Sequence, residues 1–111
     1  MESNCYAVIF SSTLLDMEDL KYLEFSKKML ENVIYIKGFI EIESYRENSG
    51  KGVNIGYWET LSAIRQWKVH SAHLRAQKYG CEVVYSNYTI KICEVQKGYD
   101  FKKTDVKHRN Y

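Results

Sequence analysis

The alternation of apolar and polar residues along the chain predicts four β-strands. Residues 5–12, CYAVIFSS, form a short apolar run that is typical of a buried strand. In residues 39–46, FIEIESYR, isoleucines alternate with glutamates, which is the pattern of a half-buried strand. The turn-rich stretch 47–52 leads into a third strand, 53–59, so the second and third strands are expected to pair as a hairpin. A longer segment, 83–96, is expected to form the last strand.

Two amphipathic helices are predicted between these strands. The first is expected to begin at Asp16, a residue type that caps helix N-termini, and to end before Gly38. Its apolar residues recur at helical spacing as Leu20, Leu23, Leu30 and Ile34. The second is expected to run as one continuous helix from the capping residue Thr60 to Gly80. Its core-facing stripe would consist of Leu61, Ile64, Trp67, Ser71 and Leu74.

The order of these elements predicts an α+β protomer with the ferredoxin-like βαββαβ fold. One four-stranded antiparallel sheet would carry both helices on one face. Tyr, Trp, Ile and Val occupy both faces of three strands, so the second face is too apolar to stay bare and a homodimer is expected. Residues 1–101 would form this single domain, and residues 102–111 a polar C-terminal tail.

The composition narrows the classes of function. The chain has 111 residues and a net charge of +2 with acids and bases interspersed, which argues against a nucleic-acid-binding surface. No segment approaches the roughly 18 apolar residues of a membrane span, so no membrane partner is expected. The three cysteines are widely spaced, and the N-terminus lacks the pattern of a signal peptide, so we expect a cytoplasmic protein with reduced thiols.

Two histidines in the second helix, His70 and His73, are the first candidates for chemistry. Residues three apart share a helix face, so this pair could approach one metal ion. A zinc site needs at least a third protein ligand, and the remaining histidine, His108, lies in the polar tail. No cysteine has suitable spacing, so no metal site is predicted.

The run GYWETLSAIRQWKVHSAHLRAQKYG, residues 56–80, followed by VVYSNYTIKICEV, resembles the antibiotic-biosynthesis-monooxygenase-like (ABM-like) family of dimeric α/β barrels. The matching positions are Tyr57, Trp58, Glu59, Trp67, His70, His73, Tyr85, Tyr88, Tyr99 and Phe101. The likeness covers roughly residues 6–101, although Lys37 replaces the proline that usually precedes Gly38. It implies the ferredoxin-like fold and a homodimer. Known activities in the family are cofactor-independent oxygenation of polycyclic phenols, quinol oxygenation and haem degradation.

Haem degradation is disfavoured by two departures from that branch of the family. Aligned through Trp58 and Trp67, the residue at the position of the iron-ligating histidine is Gln77, which is not a usual axial ligand. The first strand also lacks the matching asparagine and offers only serines there, so no haem and no other cofactor are predicted.

The remaining functional hypothesis is a pocket for a small aromatic molecule, of the phenol or quinol type, between the second helix and the sheet. His70 and His73 would be the catalytic residues, because a histidine can take a phenolic proton and leave an electron-rich anion that reacts with oxygen. The expected substrate-binding residues are Trp67, Gln77, Asn54, Tyr57 and Tyr85. Two alternatives stay open: an ordinary, partly buried helix face for the two histidines, and a non-enzymatic dimeric binding or sensing protein on the same scaffold.

Overall fold

The computed structural model describes residues 5–103, apart from the side chains of Ser71 and Ala72, so most of the predicted tail lies outside the described residues. The elements are β1 (Cys5–Leu14), α1 (Leu20–Val33), β2 (Phe39–Arg46), β3 (Lys51–Trp58), α2 (Leu61–Lys68), α3 (Ser71–Tyr79), a π-helical turn (Gly80–Val84) and β4 (Tyr85–Val95). The strands form one antiparallel sheet in the order β2-β3-β1-β4. The predicted ferredoxin-like fold is confirmed. Within residues 5–103 no helix is long and apolar enough to cross a membrane.

The register of the strands separates the sheet into two faces of different character. Phe10 lies opposite Asn54 on one side and Ile90 on the other, so these three side chains share the face that is turned to the helices. Ile9 lies opposite Ile55 on the other face, which the helices leave uncovered. The sheet therefore has a helix-facing side and an open side.

The core lies where α1 and α2 meet the helix-facing side of the sheet. Val33, Trp58 and Ala63 are its buried members. The partly buried residues Val8, Ile36, Phe39, Ile64 and Trp67 pack against them. Gly38 allows α2 to come close: its φ is +96°, and a Cβ there would lie 2.8 Å from the Cβ of Ala63. Its carbonyl also accepts a hydrogen bond from the N–H of Glu59, at 2.7 Å.

The first helix begins one turn later than predicted. Asp19, and not Asp16, is its N-cap, and the Asp19 carboxylate accepts the N–H of Tyr22 at 2.9 Å. Asp16 accepts instead from the N–H of Glu18, in the turn before the helix. The prediction failed because two aspartates three residues apart are equally good caps by type, and only the path of the chain from β1 decides between them.

The side of α1 that packs inward was also predicted wrongly. Leu20 is 80% exposed and Ile34 60%, and Leu23 is also exposed. Leu30, about half exposed, is the member of the predicted stripe that reaches the space between the helices and the sheet. The inward side carries larger side chains: Tyr22, Phe25, Met29 and Val33. Apolar residues lie on more than one side of this helix, so spacing alone could not select the buried side. The larger rings and Met29 cover more of the sheet.

The predicted second helix is interrupted. Thr60 caps it as expected, accepting the N–H of Ala63 at 3.0 Å, but α2 ends at Lys68. Val69 and His70 form a break, in which the His70 N–H bonds to the Trp67 carbonyl three residues earlier, and α3 starts at Ser71. The expected single helix over 60–80 is therefore wrong. Because α3 is a separate helix, the angular spacing of residues in α2 does not extend into it.

Candidate active site

A cavity of about 240 Å³ lies between the helices and the helix-facing side of the sheet. It exceeds the roughly 150 Å³ of a cavity that holds one benzene ring and is smaller than the roughly 300–1,000 Å³ sites of drug-sized ligands. Its floor is formed by Val8, Phe10, Asn54, Gly56, Trp58, Tyr88, Ile90 and Ile92. Ile92, on the edge strand β4, is 53% exposed, so the cavity opens to solvent along that strand.

An aromatic group of four side chains forms one end of the cavity. The ring of Phe10 lies 5.3 Å from Tyr88 in a stacked arrangement and 5.4 Å from Tyr85. Tyr22, from α1, meets Tyr85 edge-on at 5.9 Å, and their hydroxyls are 3.5 Å apart. Burial, followed by the contact with Tyr22, raises the pKa of Tyr85 far above its usual value. This end of the cavity therefore offers aromatic ring faces and phenol hydroxyls, and the hydroxyl of Tyr85 stays protonated.

The π-helical turn gives Tyr85 its position. Gly80 starts this turn and is buried, and a Cβ at Gly80 would lie 2.6 Å from the Tyr85 ring. The ring therefore packs directly on the glycine backbone. Single π-helical turns are frequent at functional sites, and here the turn places a cavity residue.

His73 marks the end of the cavity that is formed by the helix break. Its Nδ1 lies 3.3 Å from the carbonyl oxygen of Lys68. A carbonyl only accepts, so this contact assigns the proton to Nδ1 and leaves Nε2 as the basic nitrogen. Burial lowers the pKa of His73, partly offset by that backbone hydrogen bond, and the nearby charges of His70 and Lys68 lower it further. At neutral pH the imidazole is therefore a neutral base.

The helix break supplies the partner that holds His73. In a continuous helix the carbonyl of Lys68 would accept the N–H four residues later. Because α2 ends at Lys68, its last carbonyls are available to other donors. The contact with His73 uses one of them, so the interruption that the sequence pattern missed fixes the orientation and the tautomer of the imidazole.

The structure brings five of the seven predicted site residues to the cavity. These are Trp67, His73, Gln77, Asn54 and Tyr85. The Trp67 ring lies 5.3 Å from the His73 ring, and Gln77 reaches the hydroxyl of Tyr88. The pKa of that hydroxyl is raised, chiefly by its hydrogen bond to the thiol of Cys81.

Two predicted site residues, Tyr57 and His70, are not in the cavity wall. Tyr57 lies opposite Ala7 on the open side of the sheet, because it is an odd step along β3 from Asn54. Its surroundings differ accordingly: burial raises its pKa, and Glu43 and Glu41 of β2 add to the effect. His70 lies in the helix break, with its ring centroid 5.1 Å from that of Trp67, and does not line the cavity. Their expected placement in the pocket is therefore corrected.

Several cavity residues were not predicted. Tyr88 shares its strand face with Ile90, and that parity could have identified it. Tyr22, Ser26 and Lys68 carried no comparable signal, because their positions depend on the side that α1 turns inward and on the end of α2. Within residues 5–103 no three His, Cys, Asp or Glu side chains converge as metal ligands.

No family model matches the chain. Over 92 residues the chain is 35% identical to the uncharacterized protein YqjZ of Bacillus subtilis, a match that covers 83% of this chain and 80% of that protein. It is 26% identical over 92 residues to the jasmonate monooxygenase ABM of Pyricularia oryzae, over 81% of this chain but 43% of that protein.

Solved structures give the same fold. SnoaB, a cofactor-independent oxygenase from Streptomyces nogalater, superposes with a TM-score of 0.73 at 12% identity, covering 86% of this chain and 97% of that one. A dimeric protein of ferredoxin-like fold from Bacteroides fragilis gives 0.64 at 14% identity, covering 86% of this chain and all of the other. The 35% identity to YqjZ over 83% of this chain shows that the two proteins belong to one family, and the monooxygenase relative and the shared fold are consistent with the ABM-like family.

Proposed function

We propose that the protein is a cofactor-independent monooxygenase that oxidises a small phenol or quinol in this cavity, with His73 as the catalytic base. The observation that carries the proposal is a neutral imidazole, oriented by its contact with the Lys68 carbonyl, in the wall of a largely apolar and aromatic cavity. An apolar site with a few placed polar groups is the usual form of a small-molecule site. The names of the oxygenase SnoaB and of the monooxygenase from Pyricularia oryzae support the reaction class.

The proposed reaction needs only the substrate and oxygen. The phenol O–H gives its proton to Nε2 of His73, and the anion that forms donates electrons from a ring carbon to O₂. One oxygen atom is retained on that carbon, and the other leaves as water with two hydrogens from the substrate. Trp67 and Tyr85 would hold the ring between them, while Asn54 and Gln77 would donate hydrogen bonds to substrate oxygens.

An oxygen-uptake screen with quinols and anthrone-like phenols tests this function. We expect turnover by the wild type, and a loss of about 10²–10⁴-fold in kcat/KM for His73→Gln, which is the usual contribution of a general base. His70→Gln is the matched control, because His70 lies in the same helix break but outside the cavity wall. Equal loss in both variants, or none in His73→Gln, would remove the assignment of His73.

A second candidate is a non-enzymatic binding or sensing protein. The exposed cavity residues of β4 favour it, because an oxygenase is expected to exclude water from its reactive intermediates. Saturable binding of the same phenols, followed by Trp67 fluorescence, without any oxygen uptake would support this candidate against the enzyme.

We also propose that the open side of the sheet is the homodimer interface. Ile9, Val53 and Ile55 lie together there and are partly exposed in the protomer. The dimeric protein from Bacteroides fragilis shares the fold and supports this assembly. Sedimentation should show a dimer for the wild type and a monomer for Ile55→Lys. Ile34→Lys, on the exposed side of α1, is the control that should remain dimeric. A monomeric wild type would refute the interface.

A further inference from the structure

The cavity wall carries a single formal charge, and it is positive. Among the described residues that line the cavity, Lys68 is the one charged side chain, and none is a carboxylate. Lys68 is the last residue of α2, directly before the helix break. His73 and Gln77, from α3, line the same cavity. A positive charge therefore stands at the end of the cavity that contains the basic imidazole.

We propose that Lys68 is a substrate-positioning residue that makes this end of the cavity a subsite for an anionic oxygen, the phenolate of an otherwise apolar ring. The inference rests on the proposed function, because the phenolate is the species left when Nε2 of His73 has taken the phenol proton. That step is a transfer of one proton from oxygen to nitrogen, with no change of oxidation state. The product is an ion pair of imidazolium and phenolate, and Lys68 stabilises the phenolate.

No carboxylate among the described residues that line the cavity opposes this role of Lys68. Tyr22 from α1 and Tyr85 and Tyr88 from β4 bring phenol hydroxyls to the cavity and no carboxylate. Within the described residues the one ion pair joins Lys28 and Glu24 on α1, so Lys68 has no carboxylate partner at ion-pairing distance. The ammonium is consequently available to a ligand oxygen.

The same charge acts on the base. The positive charge of Lys68 disfavours the imidazolium form of His73 and contributes to its lowered pKa. A bound phenolate would neutralise that effect, because it brings a negative charge between the two groups. Lys68 thus helps to keep His73 in its neutral, unprotonated form before proton transfer and pairs with the phenolate afterwards.

The charge of Lys68 should also influence which ligands the cavity selects. A cavity with one cation and no anion among its described wall residues should prefer a neutral or singly anionic ring to a cationic ring of the same shape. Since Lys68 is exposed and its charge is screened by water, the phenolate should bind only about two- to fivefold more tightly than the neutral phenol. This difference in affinity should shrink in high salt.

The test uses 4-nitrophenol, whose anion absorbs visible light and which carries no reactive quinol. With protein in excess, absorbance across neutral pH gives the ionisation constant of the bound phenol. We expect binding to the wild type to increase the acid-ionisation constant Ka of 4-nitrophenol about two- to fivefold over that of the free phenol, which means a lower pKa. Lys68→Gln should abolish this increase. Lys78→Gln is the matched control, because Lys78 is an exposed lysine of α3 that does not line the cavity, and it should behave as wild type.

Two results would overturn the inference: no increase with the wild type, or the same increase with Lys68→Gln. His73→Gln separates this inference from the proposed function, because the increase should persist without the base. If the phenols of the oxygen-uptake screen are not turned over while the Lys68-dependent increase is present, the oxygenase proposal fails and the anionic subsite stands.

Discussion

Replacement of Gly80 by alanine should destabilise the protein by displacing the Tyr85 ring. The new Cβ would lie 2.6 and 2.9 Å from two carbons of that ring. Since carbon atoms pack at roughly 3.5–4.0 Å, the ring would have to retreat by about 1 Å. Tyr85 is wedged between Phe10 and Tyr22, so the movement would disturb the aromatic end of the cavity. Overpacking of this kind costs about 1–3 kcal/mol.

Urea unfolding followed by the fluorescence of the buried Trp58 measures this cost. For a slope of about 1–3 kcal/mol per molar urea, the midpoint should fall by about 1 M. Tyr85→Leu removes the ring that the new methyl group would strike. In that background Gly80→Ala should cost less than about 0.5 kcal/mol, which is the range of an ordinary surface change. A midpoint unchanged by Gly80→Ala alone, or an equal fall in both backgrounds, would refute the packing argument.

Three further outcomes follow from the contacts described. The fall of kcat/KM at low pH should be centred below pH 6.5, because the pKa of His73 is lowered from that value. Lys68→Gln should move the midpoint of this fall to higher pH, because it removes a positive charge that opposes protonation of His73. Arg46→Met should destabilise by about 1–3 kcal/mol in urea, because it removes hydrogen bonds to the Ser12 carbonyl and hydroxyl and to the hairpin, whereas Arg46→Lys should recover part of that loss. Gly38→Ala should cost about 1 kcal/mol or more, because of its positive φ and the 2.8 Å approach of the new Cβ to Ala63. Gly38→Asn brings the same Cβ but tolerates positive φ better, so a larger cost for Asn would argue against backbone strain.

The fold could be predicted from the sequence because its signals are local. The strand at 39–46 and the threonine cap of α2 depend on neighbouring residues, and both were predicted correctly. The buried isoleucine face of β2 was not, because Ile40 and Ile42 are exposed and the register shifts between Phe39 and Glu41. The break at Val69 and His70 could not be predicted, because apolar spacing describes which side of a helix is buried and not whether the main chain is continuous. Neither proline nor glycine marks it. The shared helix face expected for His70 and His73 was therefore inferred from a helix that does not exist as one piece.

The candidate site could be predicted in part for related reasons. Trp67 belongs to the core and reaches the cavity, as its place in the apolar stripe indicated. Asn54 and Tyr57 could not both face it, since residues three apart on a strand point to opposite faces, and strand parity would have excluded one of them. Lys68 had no signal in the sequence, because its importance comes from being the last residue of α2.

The helix break also separates residues that stabilise the fold from residues that line the cavity. α2 holds the fold, since Ala63 is buried in the core and Ile64 and Trp67 pack against it. None of the side chains described in α3 belongs to that core cluster, although His73 and Gln77 reach the cavity. His73 and Gln77 can therefore change with less loss of folding stability than the core residues of α2, whereas Tyr79 of α3 packs on Phe25 and bonds the Asp19 carboxylate. A substitution at His73 consequently reports on chemistry rather than on folding.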